Sequence, residues 1–230
     1  HQHSQLAMFF DEGNRPIIYG LAKKGAALLS QHGDPINPRL GWSQKNRRAT
    51  NEFLAHTLEI GEVMLAFEQA VAQASCIRLV DQHDLLPYFP AARRELRDPF
   101  CARVVVPQSH GAPIALAVVP DRLFSFQYED GTRHNFAVEV DRGTMDINAS
   151  RLAGKSSFRR KLIAYFYLWR LKQHTEAWGF RGFRLLTLTT SEKRLAHMLE
   201  AQTTITQGKA PALFLYSTLA RLSDVGPLGP

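Results

Sequence analysis

Apolar residues recur at Phe53, Leu54, Leu58, Ile60, Val63, Met64, Phe67 and Val71, a spacing that predicts one long helix over 50–73. Shorter apolar runs at 77–80 and 102–106 read as strands. The stretch 84–94 stays open between helix and loop, because Pro87 and Pro90 interrupt helical pairing. The pattern then becomes regular: 114–119, 123–127 and 135–140 read as three strands in succession, with turns at Pro120-Asp121 and Asp130-Gly131. A helix over 158–178, a strand over 183–188, a helix over 191–201 and a last strand over 212–216 complete the series. Thr189 and Glu192 have the spacing of a capping box at that second helix.

This order predicts an α/β layout in which an antiparallel meander of three strands comes first and right-handed crossovers then add parallel strands. That is the topology of a restriction-endonuclease-like core, a mixed sheet flanked by helices. Ahead of it, apolar runs at 6–10 and 17–19 flank a turn-rich 11–16, predicting a hairpin, and 21–29 reads as a short helix carrying Lys23 and Lys24. A hairpin running into a helix resembles the wing and last helix of a winged-helix unit, with the helix that would enter the major groove missing from this sequence. The expected organisation is a partial winged-helix segment over 1–32, a linker over 33–49, an α/β domain over 50–222 and a tail over 223–230.

Charge changes the picture. The chain carries 28 Lys and Arg against 21 Asp and Glu, a net +7. With a pI near 9.6, this favours a polyanionic partner, nucleic acid first. Basic residues gather at Lys45, Arg47 and Arg48, at Arg93, Arg94 and Arg97, and at Arg159, Arg160 and Lys161 with Arg170 and Lys172. Each cluster has a plainer reading as a solvated helix face. No apolar run is long enough to span a bilayer and no signal-peptide pattern opens the sequence, so the expectation is a cytoplasmic protein with no membrane partner. Cys76 and Cys101 lack metal or redox spacing and read as small buried hydrophobes. No glycine-rich nucleotide-binding pattern is present.

The candidate chemistry lies at the ends of neighbouring strands. Asp121 opens one, and Glu139 and Asp141 close the next. A carboxylate beside a packed sheet needs a lysine, an arginine or a metal ion to neutralise it. Oxygen ligands delivered to one spot suit a hard cation such as magnesium (Mg), while solvated turn residues are the plain alternative. In the helix that follows, Phe158, Leu162, Tyr165, Phe166 and Trp169 form one stripe with Lys161 on its border. Lys161 can lay its methylenes on the sheet and bring its ammonium to the strand ends. Arg159 and Arg160 fall elsewhere on the helix and suit DNA backbone contacts or solvated charge.

Tyr19-Gly20-Leu21 with Gly25, His56-Thr57-Leu58, Pro120-Asp121, Glu139-Val140-Asp141-Arg142-Gly143-Thr144 and Phe158-Arg159-Arg160-Lys161-Leu162 with Tyr165 occur in that order, ending at Arg194. This sequence of motifs resembles the replication-relaxation proteins of plasmids and mobile elements. The resemblance implies a winged helix joined to a nuclease core of the PD-(D/E)xK type, with Asp121 and Glu139 as metal carboxylates. It also implies DNA as partner, with a relaxase or replication protein as a second one. The position two after Glu139 should hold a catalytic lysine and holds Asp141 instead. Asp141 can join the metal shell or pair with Lys161 or Arg194.

Three functions remain open. One is a DNA-binding protein of replication or mobilisation, using Lys23, Lys24, Arg159, Arg160 and Arg194. Another is an endonuclease with Asp121, Glu139 and Asp141 around magnesium and Lys161 at the attacking water. The third is a non-catalytic interaction module.

Overall fold

A computed structural model describes residues 23–32, 50–108, 111–144, 147, 157–208 and 212–227. The expected wing hairpin, the linker over 33–49 with its Lys45, Arg47 and Arg48 cluster, and the last three residues lie outside the described residues. The chain divides into two compact units, His1–Leu58 and Glu59–Pro230.

In the first unit, helix α1 spans Lys23–Gln31 and carries an exposed Lys24. The long helix α2, Asn51–Gln73, begins there and runs on into the second unit as one continuous element. Its start is fixed by Thr50, whose hydroxyl accepts the Phe53 amide at 3.2 Å.

The second unit is built on a five-stranded mixed sheet. Strands β1 (Ile77–Asp81), β4 (Arg122–Tyr128), β5 (Arg133–Asp141), β6 (Arg184–Thr189) and β7 (Phe214–Thr218) lie in the order β1-β4-β5-β6-β7. The first three pair antiparallel; β5, β6 and β7 pair parallel. Short turns α3 (Gln82–Leu85), a 3-10 turn (Leu86–Tyr88) and α4 (Ala91–Arg94) occupy the stretch left open by Pro87 and Pro90. Helices α5 (Phe158–Arg170), α6 (Gln173–Trp178), α7 (Glu192–Thr206) and α8 (Leu219–Val225) complete the unit. No helix among the described residues is long and apolar enough to cross a membrane.

Alternation sorts the strand residues between two cores. Val63, Met64, Phe67 and Val71 of α2 pack on Phe124, Phe126, Phe136, Val138, Val140 and Leu188. The Phe67 and Phe124 rings lie 5.0 Å apart. The opposite face, with Leu123, Ala137 and Leu185, meets Leu162, Tyr165 and Leu168 of α5 and Met198 and Ala201 of α7. Both cores are needed to bury a sheet on two faces.

Four expectations need correction. The strand over Ile114–Val118 (β3) is not part of the main sheet; it pairs with β2 (Ala102–Val106) in a separate two-stranded ribbon. Sequence adjacency favoured a three-strand meander, but β1 takes the edge beside β4, with Leu79 opposite Phe126. The ribbon has one apolar face of its own, Ala102, Val104, Val106, Leu116 and Val118, which joins the α5 core. Next, the helix over 158–178 breaks where Lys172 adopts a left-handed conformation at φ 56°, giving α5 and α6. The turn at the break lets Trp178 enter the core, where its indole donates to the Phe100 carbonyl at 2.9 Å. The cap of α7 is Ser191, which accepts the Arg194 amide at 3.3 Å, whereas Thr189 ends β6. Last, Cys76 is exposed because it lies in the turn between α2 and β1.

Among the described glycines, the one pressed closest to backbone lies at the end of α6. Gly179 has φ +70°, and a Cβ there would sit 2.6 Å from the Tyr88 carbonyl oxygen. Gly179→Ala is therefore expected to lower stability by about 2 kcal/mol or more, since strain alone costs roughly 1–3 kcal/mol. Gly182→Ala meets nothing within 4 Å and serves as the control. Equal denaturation midpoints for the two variants would contradict this account.

Candidate functional site

The site lies at the carboxyl ends of β5 and β6, where parallel pairing meets the antiparallel half of the sheet. The register sets Ala137 beside Leu185, Glu139 beside Thr187 and Asp141 beside Thr189. The α5-facing side of these strands therefore turns from apolar to polar toward the strand ends. Open α/β sheets commonly place ligand sites at such an edge.

Glu139 is 4% exposed. Lys161 and Tyr165, one turn apart on α5, both reach it. The Lys161 ammonium forms an ion pair with Oε2, and the Tyr165 hydroxyl donates to Oε1 at 2.6 Å. Burial pushes the Glu139 carboxyl up to about 7; Lys161 pulls it back and the charge of Asp121 adds to the rise. For Lys161, burial works against the charged form, but the carboxylates of Glu139, Asp121 and Asp141 more than offset it and raise its pKa. Burial and the adjacent Glu139 hold the Tyr165 phenol well above its usual range.

Asp121 sits in the turn before β4. Its amide donates to the Val138 carbonyl at 3.0 Å, and its Oδ2 accepts the Val140 amide at 2.8 Å. The carboxylate thus extends the β4–β5 ladder by one side-chain bond. Asp141 is held from three directions. Arg194 grips it with Nε on Oδ2 and with Nη2 on Oδ1 at 2.8 Å. The Thr189 hydroxyl donates to Oδ2 at 2.9 Å and the Gly143 amide at 3.2 Å. Such a two-pronged guanidinium contact fixes both distance and orientation.

Five of the residues expected from sequence are thus brought together: Asp121, Glu139, Asp141, Lys161 and Arg194. Arg159 and Arg160 stand half-buried in the first turn of α5. Lys23 and Lys24 belong to α1 in the other unit. The Arg93 cluster has a different use, because Arg93 donates to the carbonyls of Ala177 at 3.2 Å and of Cys101. It ties α6 to the segment before β2.

Magnesium would need open carboxylate oxygens. Both oxygens of Glu139 and both of Asp141 already accept protein donors, as does Oδ2 of Asp121. Among the described residues, no three His, Cys, Asp or Glu side chains are grouped to hold a metal ion. As arranged, a cation would share these oxygens with Lys161 on Glu139 and with Arg194 on Asp141.

Sequence reasoning left out the roles of Tyr165 and Thr189. Tyr165 appears in it only as a core residue and motif member, and Thr189 only as a cap. The usable signal was parity: Thr187 and Thr189 share the strand face of Leu185, opposite Glu139 and Asp141.

Glu139 holds its proton more tightly in the folded protein than a carboxyl at its ordinary value of 4.5. Its contribution to stability is full below about 4.5 and is lost as pH rises through about 7. Glu139→Gln should flatten the pH dependence of the unfolding midpoint in that window. A carboxyl NMR titration should place the Glu139 midpoint near 7; a midpoint near the ordinary value would contradict the burial argument. Tyr165→Phe removes a bond to a buried carboxylate and should cost about 2 kcal/mol.

The family described as replication-relaxation matches residues 3–182. That span holds Asp121, Glu139, Asp141, Lys161 and Tyr165, while Thr189 and Arg194 lie beyond it. No curated protein and no solved structure matches the chain. A match over so much of the sequence, with the strand-end charges inside it, establishes that the chain belongs to the replication-relaxation family.

Proposed function

We propose that this protein binds DNA in the replication or mobilisation of a plasmid or other mobile element, and that its nuclease-like strand ends form a charge cluster that does not cleave. The observation that carries the reading is the clamp of Arg194 on Asp141, at the position where the family resemblance calls for a catalytic lysine. A carboxylate held by a guanidinium, a hydroxyl and an amide is spent on the fold. Family membership supports the biological setting. The net charge of +7 supports a polyanionic partner. Arg159, Arg160, Lys23 and Lys24 are the residues assigned to phosphate contacts, with a relaxase or replication protein as a protein partner. The mixed sheet with helices on both faces is compatible with a restriction-endonuclease-like core.

A magnesium-dependent endonuclease is the second reading. It is favoured by one observation: the charge of Asp121 acts on both Glu139 and Lys161, so the three groups lie within electrostatic reach. In that reading Lys161 must let go of Glu139 before an ion can enter.

Gel shifts with duplex DNA at low salt should show binding that weakens steeply as salt rises, by about 10³ or more between 50 and 200 mM if six or more phosphates are contacted. Supercoiled plasmid incubated with Mg2+ should remain intact. Nicking that disappears in both Asp121→Ala and Glu139→Ala would replace the first reading by the second. Absence of DNA binding at low salt would remove both and leave an interaction module.

A further inference from the structure

The opposite face of the same strand ends carries a second basic feature. Arg122, the first residue of β4, shares its strand face with Phe124 and Phe126 and so points to the α2 side, away from Lys161. Its Nε is buried and finds no acceptor among the described residues. On α2, Glu59 accepts Arg142 Nε on Oε1 at 3.2 Å, while its Oε2 is buried and finds no donor there. Arg142 follows β5 directly. Arg142 is thus tied to Glu59 on the α2 side, while Arg122 leaves a buried Nε on that same side without an acceptor among the described residues.

We infer that Arg122 and Arg142 form a phosphate-binding point for the DNA backbone, separate from the Lys161 face; this rests on the DNA-binding reading above. A guanidinium nitrogen removed from water with no acceptor, on an otherwise half-buried arginine, is costly and calls for an explanation. An incoming anion is one, and phosphate is the anion whose geometry the arginine fork matches. Placement agrees. In the β4–β5 register Arg122 lies opposite Val138. Arg142, four residues further on, is then about 13 Å along the strand direction at roughly 3.3 Å per residue. That separation lets the two arginines take different phosphates of one backbone. Glu59 holds Arg142 in place and limits the local charge. DNA would thus touch both sides of the strand ends, with β4 and β5 projecting between the contacts.

The test is binding of a duplex oligonucleotide followed against salt, with unfolding midpoints as a folding control. Arg122→Gln should lower affinity several-fold regardless of DNA sequence and reduce the salt slope by about 0.9, the value for one phosphate contact. Arg122→Lys should keep the slope, because it keeps the charge. Glu59→Gln should tighten binding, since it removes the competing carboxylate. Unchanged affinity and slope in a folded Arg122→Gln protein overturn the site while leaving the DNA-binding reading intact. Failure of the wild type to bind at low salt overturns both. If Arg122→Gln does not fold, Glu59→Gln decides: tighter binding supports the site. Weaker or unchanged binding means that Glu59 serves a structural pair with these arginines, and overturns it.

Discussion

A carboxylate at the end of a central strand, almost fully removed from water, is the constraint around which this structure is arranged. Glu139 can be buried only if its charge is neutralised or given up. The fold supplies two donors from one helix, Lys161 and Tyr165, one turn apart on α5. Helix α5 must then lie on this face of the sheet with its N-terminal half at the strand ends, which also places Leu162 and Leu168 in the core. Asp141 repeats the solution two residues on, with Arg194 reaching from α7. Each crossover helix thus brings one cation to one carboxylate of β5, so the electrostatic pairing and the parallel topology support each other.

That arrangement bears directly on function. A metal-dependent nuclease gains from carboxylates held open for a cation, with a lysine near the attacked phosphate. Here the carboxylates and the cations satisfy one another, and Asp121 spends an oxygen on the amide of Val140. Under the proposed reading, these pairs stabilise the strand ends of a protein that docks on DNA without cleaving it. The Arg122–Arg142 side would extend that docking surface around the strand ends.

Much of the fold was legible because it follows periodicity. The α2 stripe, the apolar runs of β2 and β5 and the existence of α7 are patterns local to a few turns or one strand, although the cap of α7 lies at Ser191, two residues beyond the one expected. Pairing between distant strands was not legible. The displacement of β3 from the main sheet depends on β1, whose apolar run carries no mark of its partner. The break between α5 and α6 falls at Leu171-Lys172, with no glycine or proline to announce it. At the site, the charged members could be chosen from strand ends and a helix stripe. Their pairing could not, because Asp141 had Lys161 and Arg194 as rival partners in sequence. Packing decides between them: Lys161 is drawn to the deeper Glu139, and Arg194, leaving the first turn of α7, meets Asp141.

The central claim is that Lys161 neutralises Glu139 within the fold. A double-mutant cycle on unfolding free energy measures this directly, with Lys161→Met, Glu139→Gln and the pair together. The account predicts that Lys161→Met alone is costly, about 3 kcal/mol or more, because it strands a buried carboxylate. The double variant should recover much of that loss, giving a coupling of about 1–3 kcal/mol. Additive effects, within about 0.5 kcal/mol, would show that the two groups are independent and would contradict the account.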